Sequence, residues 1–551
     1  MSAYETMPVL DDIKKYYRFC TGLRKILRKT TSFEESDEII RRRLETRNGL
    51  FLNVVGKAIY GNAKSPYLQM LRLAGYGFSN IRELVERYGI EQTLSRLVQD
   101  GVYITFEEFK GRKHTIRNGK TFKFRESDFD NPLLSSCFDV ESGGTSGPGT
   151  RTMIDFDFIA QEAANRAFVL DVYGLLHAPC ILWFPILPGN AGIMNVFRQA
   201  KIGRPPIMWF SQVDKRSIRP SLKDRLGTMG SVYIGRLLGS KMPAPVYVDL
   251  DNAHEIARYL SGIIEEYSRC SVWTYVSSAI RICIAAAERS LSLEGVTFFV
   301  SGEPVTRKKL NEIKSAGAEA VPYYAFVEGG IAAYGCANPD DPDDMHLLTD
   351  RFAIVSHKKR QKDNNNEIDA LLFTSLLPES PKILLNVETG DYGSIKSRRC
   401  GCKFEGRGFS EHVAQVRSFE KLTSEGMTFI VGDLVRIAEE ILPEKYGGSS
   451  TDYQVFKESD RDGVSSLEIA VNPRVGPVDE RDIVKTVIKE LGKGGGSRRL
   501  MAEVWDRAGT IRISRTAPIP TKRGKLFSFR SVETQATRVG NVTSTGRVES
   551  P

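Results

Sequence analysis

Apolar residues in the first part of the chain recur at helical spacing. Ile13, Tyr16, Tyr17 and the run from Leu23 to Leu27 lie three or four positions apart, and the stretch from Ile81 to Leu97 repeats the pattern, so 11–111 predicts helices. The run AANRAFVLDVYGLL (163–176) is apolar on nearly every side, the mark of a buried helix. CILWFPIL (180–187) reads as a strand stopped by a Pro-Gly pair. Beyond it, helices at 254–267, 277–290 and 308–315 alternate with strands at 296–300 and 320–324. Such alternation predicts an α/β fold with a largely parallel sheet. The tract KKRQKDNNNE (358–367) is polar throughout and predicts a surface turn between strands.

After Val416 the pattern changes. Strands at 465–471 and 509–514, a helix at 480–491 and the loop GKGGGS suit a small α+β unit. From Thr534 the chain is rich in Ser, Thr and Gly, a composition that buries too little apolar surface to fold. The length also exceeds what one core spans. The expected layout is a large multi-layer α/β N-terminal region, helical at 1–120 with a binding core at 121–416, followed by a small mobile C-terminal domain at 417–533 and a disordered tail at 534–551.

Composition narrows the function classes. Hydrophobic residues make up 41% and charged residues 26%, the ordinary balance of a soluble globular protein. Lys and Arg number 77 against 68 Asp and Glu, a net charge of +9. These positives are scattered, and clusters such as Arg41-Arg42-Arg43 read as solvated surface, so no nucleic-acid partner is expected. No run reaches the roughly 18 apolar residues of a membrane span, and the start lacks the apolar core of a signal peptide. A cytoplasmic location follows as the expectation. Eight cysteines in so long a chain form no disulfide framework, and in a reducing compartment clustered cysteines point to metal or chemistry.

Several short motifs bear on chemistry. Ser142, Gly143, Gly144, Thr145, Ser146 and Gly147 open the loop SGGTSGPGTR, whose small residues let backbone N–H groups approach a phosphate. It is not a P-loop, because Thr150-Arg151 stands where Lys-Ser/Thr would be. Gly302, Glu303 and Pro304 follow the apolar strand at 296–300. Tyr323, Tyr324, Phe326 and Glu328 form an aromatic-acidic segment, Thr389-Gly390-Asp391 a turn with a carboxylate, and Gly524-Lys525 a basic turn near the C-terminus.

In this order the motifs resemble those of the adenylate-forming superfamily of acyl-CoA ligases, luciferases and peptide-synthetase adenylation domains, with the phenylacetate–CoA ligase-like branch the most similar. The resemblance spans Ser142 to Lys525 and implies a role for each site. The 142–151 loop would hold phosphate, Gly302-Glu303-Pro304 would lie beside the adenine, Tyr324 would bind the nucleotide, and Glu328 would bind magnesium. Asp391 would grip the ribose hydroxyls, Arg417 would stand between the domains, and Lys525 would bridge the carboxylate and the α-phosphate. Trp183, Phe184, Tyr323 and Phe326 are candidates for the acyl pocket. The chemistry is coherent, since a carboxylate attacking a phosphate brings two anions together and needs Mg²⁺, a lysine and backbone donors.

The chain also departs from the family pattern. Val327 replaces a usual Thr or Ser, Ala325 a common Gly and Arg151 a Lys, and the Ser-Phe-Glu-Lys after Arg417 blurs the hinge expected at 417–421. Cys336, His346, Cys400 and Cys402 offer four ligands for a structural tetrahedral Zn²⁺. Phenylacetate–CoA ligase-like proteins are similar there. His114, His177, His254, His357 and His412 read as packing or surface residues.

The expected activity is ATP-dependent conversion of an aryl or similarly compact carboxylic acid to acyl-AMP, followed by transfer to CoA. Two alternatives stay open: delivery to a carrier protein, protein thiol or amine, and a non-catalytic nucleotide-binding descendant. Oligomeric state is left open, with a dimer among the options.

Overall fold

The structure is a computed structural model and describes residues 7–134, 137–141, 151–187, 190–212, 222–360, 367–418, 431–459, 465–493, 511–521 and 524–532. The loop residues Ser142 to Gly147, most of GKGGGS, the hinge at 419–421 and the tail from Thr534 lie outside them.

The N-terminal periodicity folds as helices Met7–Arg28, Phe33–Glu45, Arg47–Val54, Pro66–Leu73 and Phe78–Gln99. Ser32 caps the second, accepting from the Glu35 N–H while the Glu35 carboxylate accepts from the Ser32 N–H. The last bends at Gly89, whose φ of 79° no other residue type adopts easily. Two hairpins follow, β1 (Thr115–Arg117) with β2 (Lys120–Phe122) and β3 (Cys137–Glu141) with β4 (Arg151–Asp155). The buried helix runs Phe156–Val172, earlier than the apolar run suggested, because Asp155 caps it by accepting from the Asp157 N–H.

One sheet of 12 strands organises the larger unit, in the order β13-β14-β15-β16-β12-β11-β10-β9-β8-β5-β6-β7. Its strands are β5 (Cys180–Trp183), β6 (Met208–Ser211), β7 (Pro245–Tyr247), β8 (Cys270–Tyr275), β9 (Val296–Ser301), β10 (Glu319–Phe326), β11 (Gly330–Gly335), β12 (Met345–Leu347), β13 (Phe352–Arg360), β14 (Glu367–Ser375), β15 (Val387–Ser397) and β16 (Glu411–Ser418). From β7 to β10 every pairing is parallel, as the alternation predicts. From β10 to β13 every pairing is antiparallel. The expectation of a largely parallel sheet is thus half correct. After Tyr323 several links, such as Val327–Gly329 between β10 and β11, are too short for a crossover helix and close as hairpins. The polar tract needs a second correction: Lys358, Lys359 and Arg360 are strand residues paired with Asp369, Ile368 and Glu367.

Side chains of the parallel strands alternate between the two faces. Ile181, Trp183, Val272 and Phe298 pack beneath the helices Ala253–Tyr267 and Val276–Ala287, whereas Leu182, Trp273 and Phe299 pack with Phe156–Val172 and Ala191–Lys201. The N-terminal helices cover the antiparallel half. A second, 4-stranded sheet has a core of its own, in the order β19 (Ile511–Ser514), β18 (Ser465–Val471), β17 (Tyr453–Ser459), β20 (Phe529–Val532). Arg417 pairs with Tyr392 in β15, so it belongs to the large sheet and the smaller unit begins beyond Ser418.

Candidate active site

A cavity of about 360 Å³ opens where the parallel half of the large sheet gives way to the antiparallel half. Strand ends of open α/β sheets are where ligands bind, because loops there diverge and leave a crevice. Its walls include Gly302, Glu303 and Pro304 after β9, Tyr323 and Tyr324 in β10, Thr389 and Asp391 in β15, and Arg417 in β16. The smaller unit closes it with Val435, Glu439 and the run from Lys525 to Phe529.

Lys525 is held in place by its turn. Gly524 has a φ of 80°, and a Cβ there would lie 2.6 Å from Gln212 Oε1. The Leu526 N–H points at Ser277 Oγ and Glu303 Oε1, both at 3.3 Å. Glu303 also accepts from the Ser277 hydroxyl at 2.6 Å and the Ser277 N–H at 3.1 Å. Burial raises its pKa, while Lys309 and Ser277 pull the other way. Glu303 therefore docks the turn that carries Lys525. Gly302, with a φ of 81°, leaves room for that lysine: a Cβ would meet Lys525 Cε and Nζ at 2.8 Å. Lys525 Nζ also stands 5.0 Å over the ring of Tyr275.

Elsewhere on the lining Tyr324 donates to Asp391 Oδ2 at 2.6 Å. Burial and the neighbouring carboxylate push the phenol pKa well above its usual value, so it stays a donor. Arg417 Nη1 pairs with Asp343 Oδ2 at 2.7 Å, and Asp343 itself lines the cavity. Asp343 had no distinguishing mark in the DPDDM stretch. Lys309 and Glu439, likewise unremarked in the sequence, form a buried ion pair of 2.7 Å between the two units, and Ser528 donates to the same carboxylate oxygen.

Other expected site residues lie elsewhere. Glu328 pairs with Lys110 at 2.9 Å and is not among the lining residues. Trp183 is fully buried under the Ala253–Tyr267 side of the sheet, and Phe184 packs edge-on to Tyr275. Phe326 packs on Phe352 and Phe373. Of the four acyl-pocket candidates, Tyr323 alone lines the cavity.

The cysteine–histidine group does come together. His346 Nε2 lies 3.1 Å from Cys402 Sγ and 3.5 Å from Cys400 Sγ, and the two sulfurs are 3.3 Å apart. Ligand atoms around a tetrahedral zinc stand roughly 3.5 Å apart, so this donor set fits one. The Phe409 carbonyl, 2.7 Å from His346 Nδ1, orients the ring. Hydrogen bonding from Cys336, then from His346, holds the Cys402 thiol far below its ordinary pKa. His412 is a fifth member, its donor atom within 4.8 Å of those of Cys336, His346 and Cys400. Its Nδ1 is held by Asp344 at 2.7 Å, which leaves Nε2, buried and without a partner among the described residues, as a further candidate ligand atom.

No known family's sequence profile matches the chain, and no curated protein matches it. Solved structures resemble it in chain path at low identity. One is an open conformation of 2-hydroxyisobutyryl-CoA ligase in complex with 2-HIB-AMP and CoA, with 13% identity, 94% of this chain and 92% of that chain covered, and a TM-score of 0.46. Another is the anthranilate CoA ligase AuaEII in complex with anthranoyl-AMP, with 11% identity, 71% and 65% covered, and a TM-score of 0.43. A third is McyG A-PCP complexed with phenylalanyl-adenylate, with 13% identity, 81% and 63% covered, and a TM-score of 0.40.

Proposed function

We propose that this protein is an adenylate-forming ligase whose cavity binds ATP and a carboxylic acid and joins them as acyl-AMP. One observation carries the reading. Residues from five segments, Gly302 to Pro304, Tyr323-Tyr324, Thr389 and Asp391, Arg417, and Lys525, converge on a single cavity between two separately packed units. They are also the groups this chemistry requires. Asp391, oriented by Tyr324, offers a carboxylate to the ribose hydroxyls, and Pro304 and Tyr324 offer flat apolar surface to a base. The acid's carboxylate oxygen attacks the α-phosphorus, a P–O bond forms, and the bond to the β-phosphate oxygen breaks to release pyrophosphate. Lys525, held over Gly302, neutralises charge that builds on both anions in the transition state. Magnesium would arrive with the triphosphate. Glu328 is engaged by Lys110, so no step is assigned to it.

The acyl group then passes to CoA, with a carrier-protein thiol as the other acceptor of the same chemistry. Cys336, Cys400, Cys402 and His346 would hold one structural zinc, tying the segment after β11 to the turn between β15 and β16. Four protein ligands leave it no open position, so it would stabilise rather than react.

ATP–pyrophosphate exchange over a panel of acids tests adenylation. Exchange is expected with at least one acid, and Lys525→Ala is expected to lower it by about a hundredfold or more, the scale of one lost transition-state charge contact. Exchange that survives intact in Lys525→Ala would sink the assignment. Elemental analysis is expected to find one zinc per chain in the wild type and a loss of zinc in Cys402→Ser.

A further inference from the structure

The sheet face under Phe156–Val172 and Ala191–Lys201 buries more positive than negative charge. Arg166 and Arg351 are at most 1% exposed and Arg198 is 8% exposed. The carboxylate that Arg198 and Arg351 meet is Glu162, and it is fully engaged. Its Oε2 accepts from Arg198 Nε at 2.8 Å and Nη2 at 2.5 Å. Its Oε1 accepts from Arg351 Nη1 at 3.2 Å and the Ile331 N–H at 2.9 Å.

Arg166 receives no share of it. Nη2 donates to Asn195 Oδ1 at 2.5 Å, and the guanidinium lies 3.2 Å from the ring centre of Trp273. Nε and Nη1 have no partner among the described residues, and neither do Tyr334 Oη and Trp273 Nε1. The groups acting most strongly on Arg166 are Tyr334, Arg198, Tyr323 and Cys180, none of them a carboxylate. Every one of these unmatched atoms can donate a hydrogen bond, so the missing component is an acceptor. Leaving such donors buried is costly, and the aromatic face offsets only part of that cost.

This group lies one side chain beyond the cavity. Tyr323 lines the cavity on one side and packs 5.4 Å from Trp273 and 6.0 Å from Tyr334 on the other. We infer that Arg166, with Tyr334 and Trp273, binds a second carboxylate of the acid substrate, which is therefore a dicarboxylic acid. The inference rests on the adenylation reading and names its substrate class. The reacting carboxylate lies near Lys525, the tail passes Tyr323, and the far carboxylate accepts from Arg166 in a charge-assisted pair. A substrate lacking that group leaves the donors unpaired, the situation in which a polar site discriminates most sharply.

The test uses the full chain and ATP–pyrophosphate exchange with succinate, glutarate and isophthalate, each against its monomethyl ester, with butyrate and benzoate alongside. At least one diacid is expected to exceed its ester by about a thousandfold in kcat/KM. Arg166→Leu is expected to erase that preference while leaving the KM for ATP unchanged. If the variant does not fold, the wild-type panel alone decides. Exchange as good with a monoester or simple monoacid overturns the diacid inference and leaves adenylation standing. Exchange with no acid at all ends both.

Discussion

Glu162 shows how a single side chain can hold a charged core together. It is fully buried and accepts from two guanidiniums and a backbone N–H. Burial alone would raise its pKa, but Arg198, Arg351 and the Ile331 N–H outweigh that and hold it below 4.5. A carboxyl depressed in the folded state stabilises the fold above its unfolded pKa, and that contribution drains away as pH falls below about 4.5. Glu162→Gln leaves two buried arginines short of a counter-charge. It is expected to lose about 3–5 kcal/mol at neutral pH. Urea midpoints should show the gap to wild type narrowing as the pH drops below 4.5.

Among the elements, the short helix Arg307–Ser315 has two roles. Its Thr306 cap follows the Gly302–Pro304 turn, and its own side chains meet the smaller unit. Lys309 reaches Glu439 in the buried ion pair, and Glu312 accepts from the Ser450 N–H at 2.9 Å and hydroxyl at 2.8 Å. Both contacts secure the unit that presents Lys525. Lys309→Met strands Glu439 in the interface, a loss of about 3–5 kcal/mol to the docked arrangement. Small-angle scattering is expected to show a larger radius of gyration for this variant, with exchange activity falling and the secondary structure unchanged. An unaltered radius with full activity would mean that other contacts carry the docking.

For the whole molecule, a cavity walled by both units couples ligand binding to their association. A nucleotide analogue at a hundred times its dissociation constant is expected to add about 2.7 kcal/mol of stability, read as a higher denaturation midpoint. Hydrogen exchange at the Leu526 and Phe529 amides should slow together. The sequence by itself determined the helical N-terminal part, the strand–helix alternation that builds the parallel half of the sheet, and the order of the motifs, because period and turn chemistry are local properties. It also brought out Lys525, Asp391, Tyr324 and the cysteine–histidine set by residue type and order. Only the tertiary structure decided the antiparallel half, since strand direction depends on which neighbours pair across distances in the chain. The tertiary structure also assigned Glu328 to Lys110, used Glu303 as the dock for the Lys525 turn, and brought Asp343, Lys309 and Glu439 to the site. Most of all, it left Arg166 buried with no carboxylate partner among the described residues. An arginine inside an apolar helix looks like any other in sequence, and which groups surround it depends on how distant strands and helices pack.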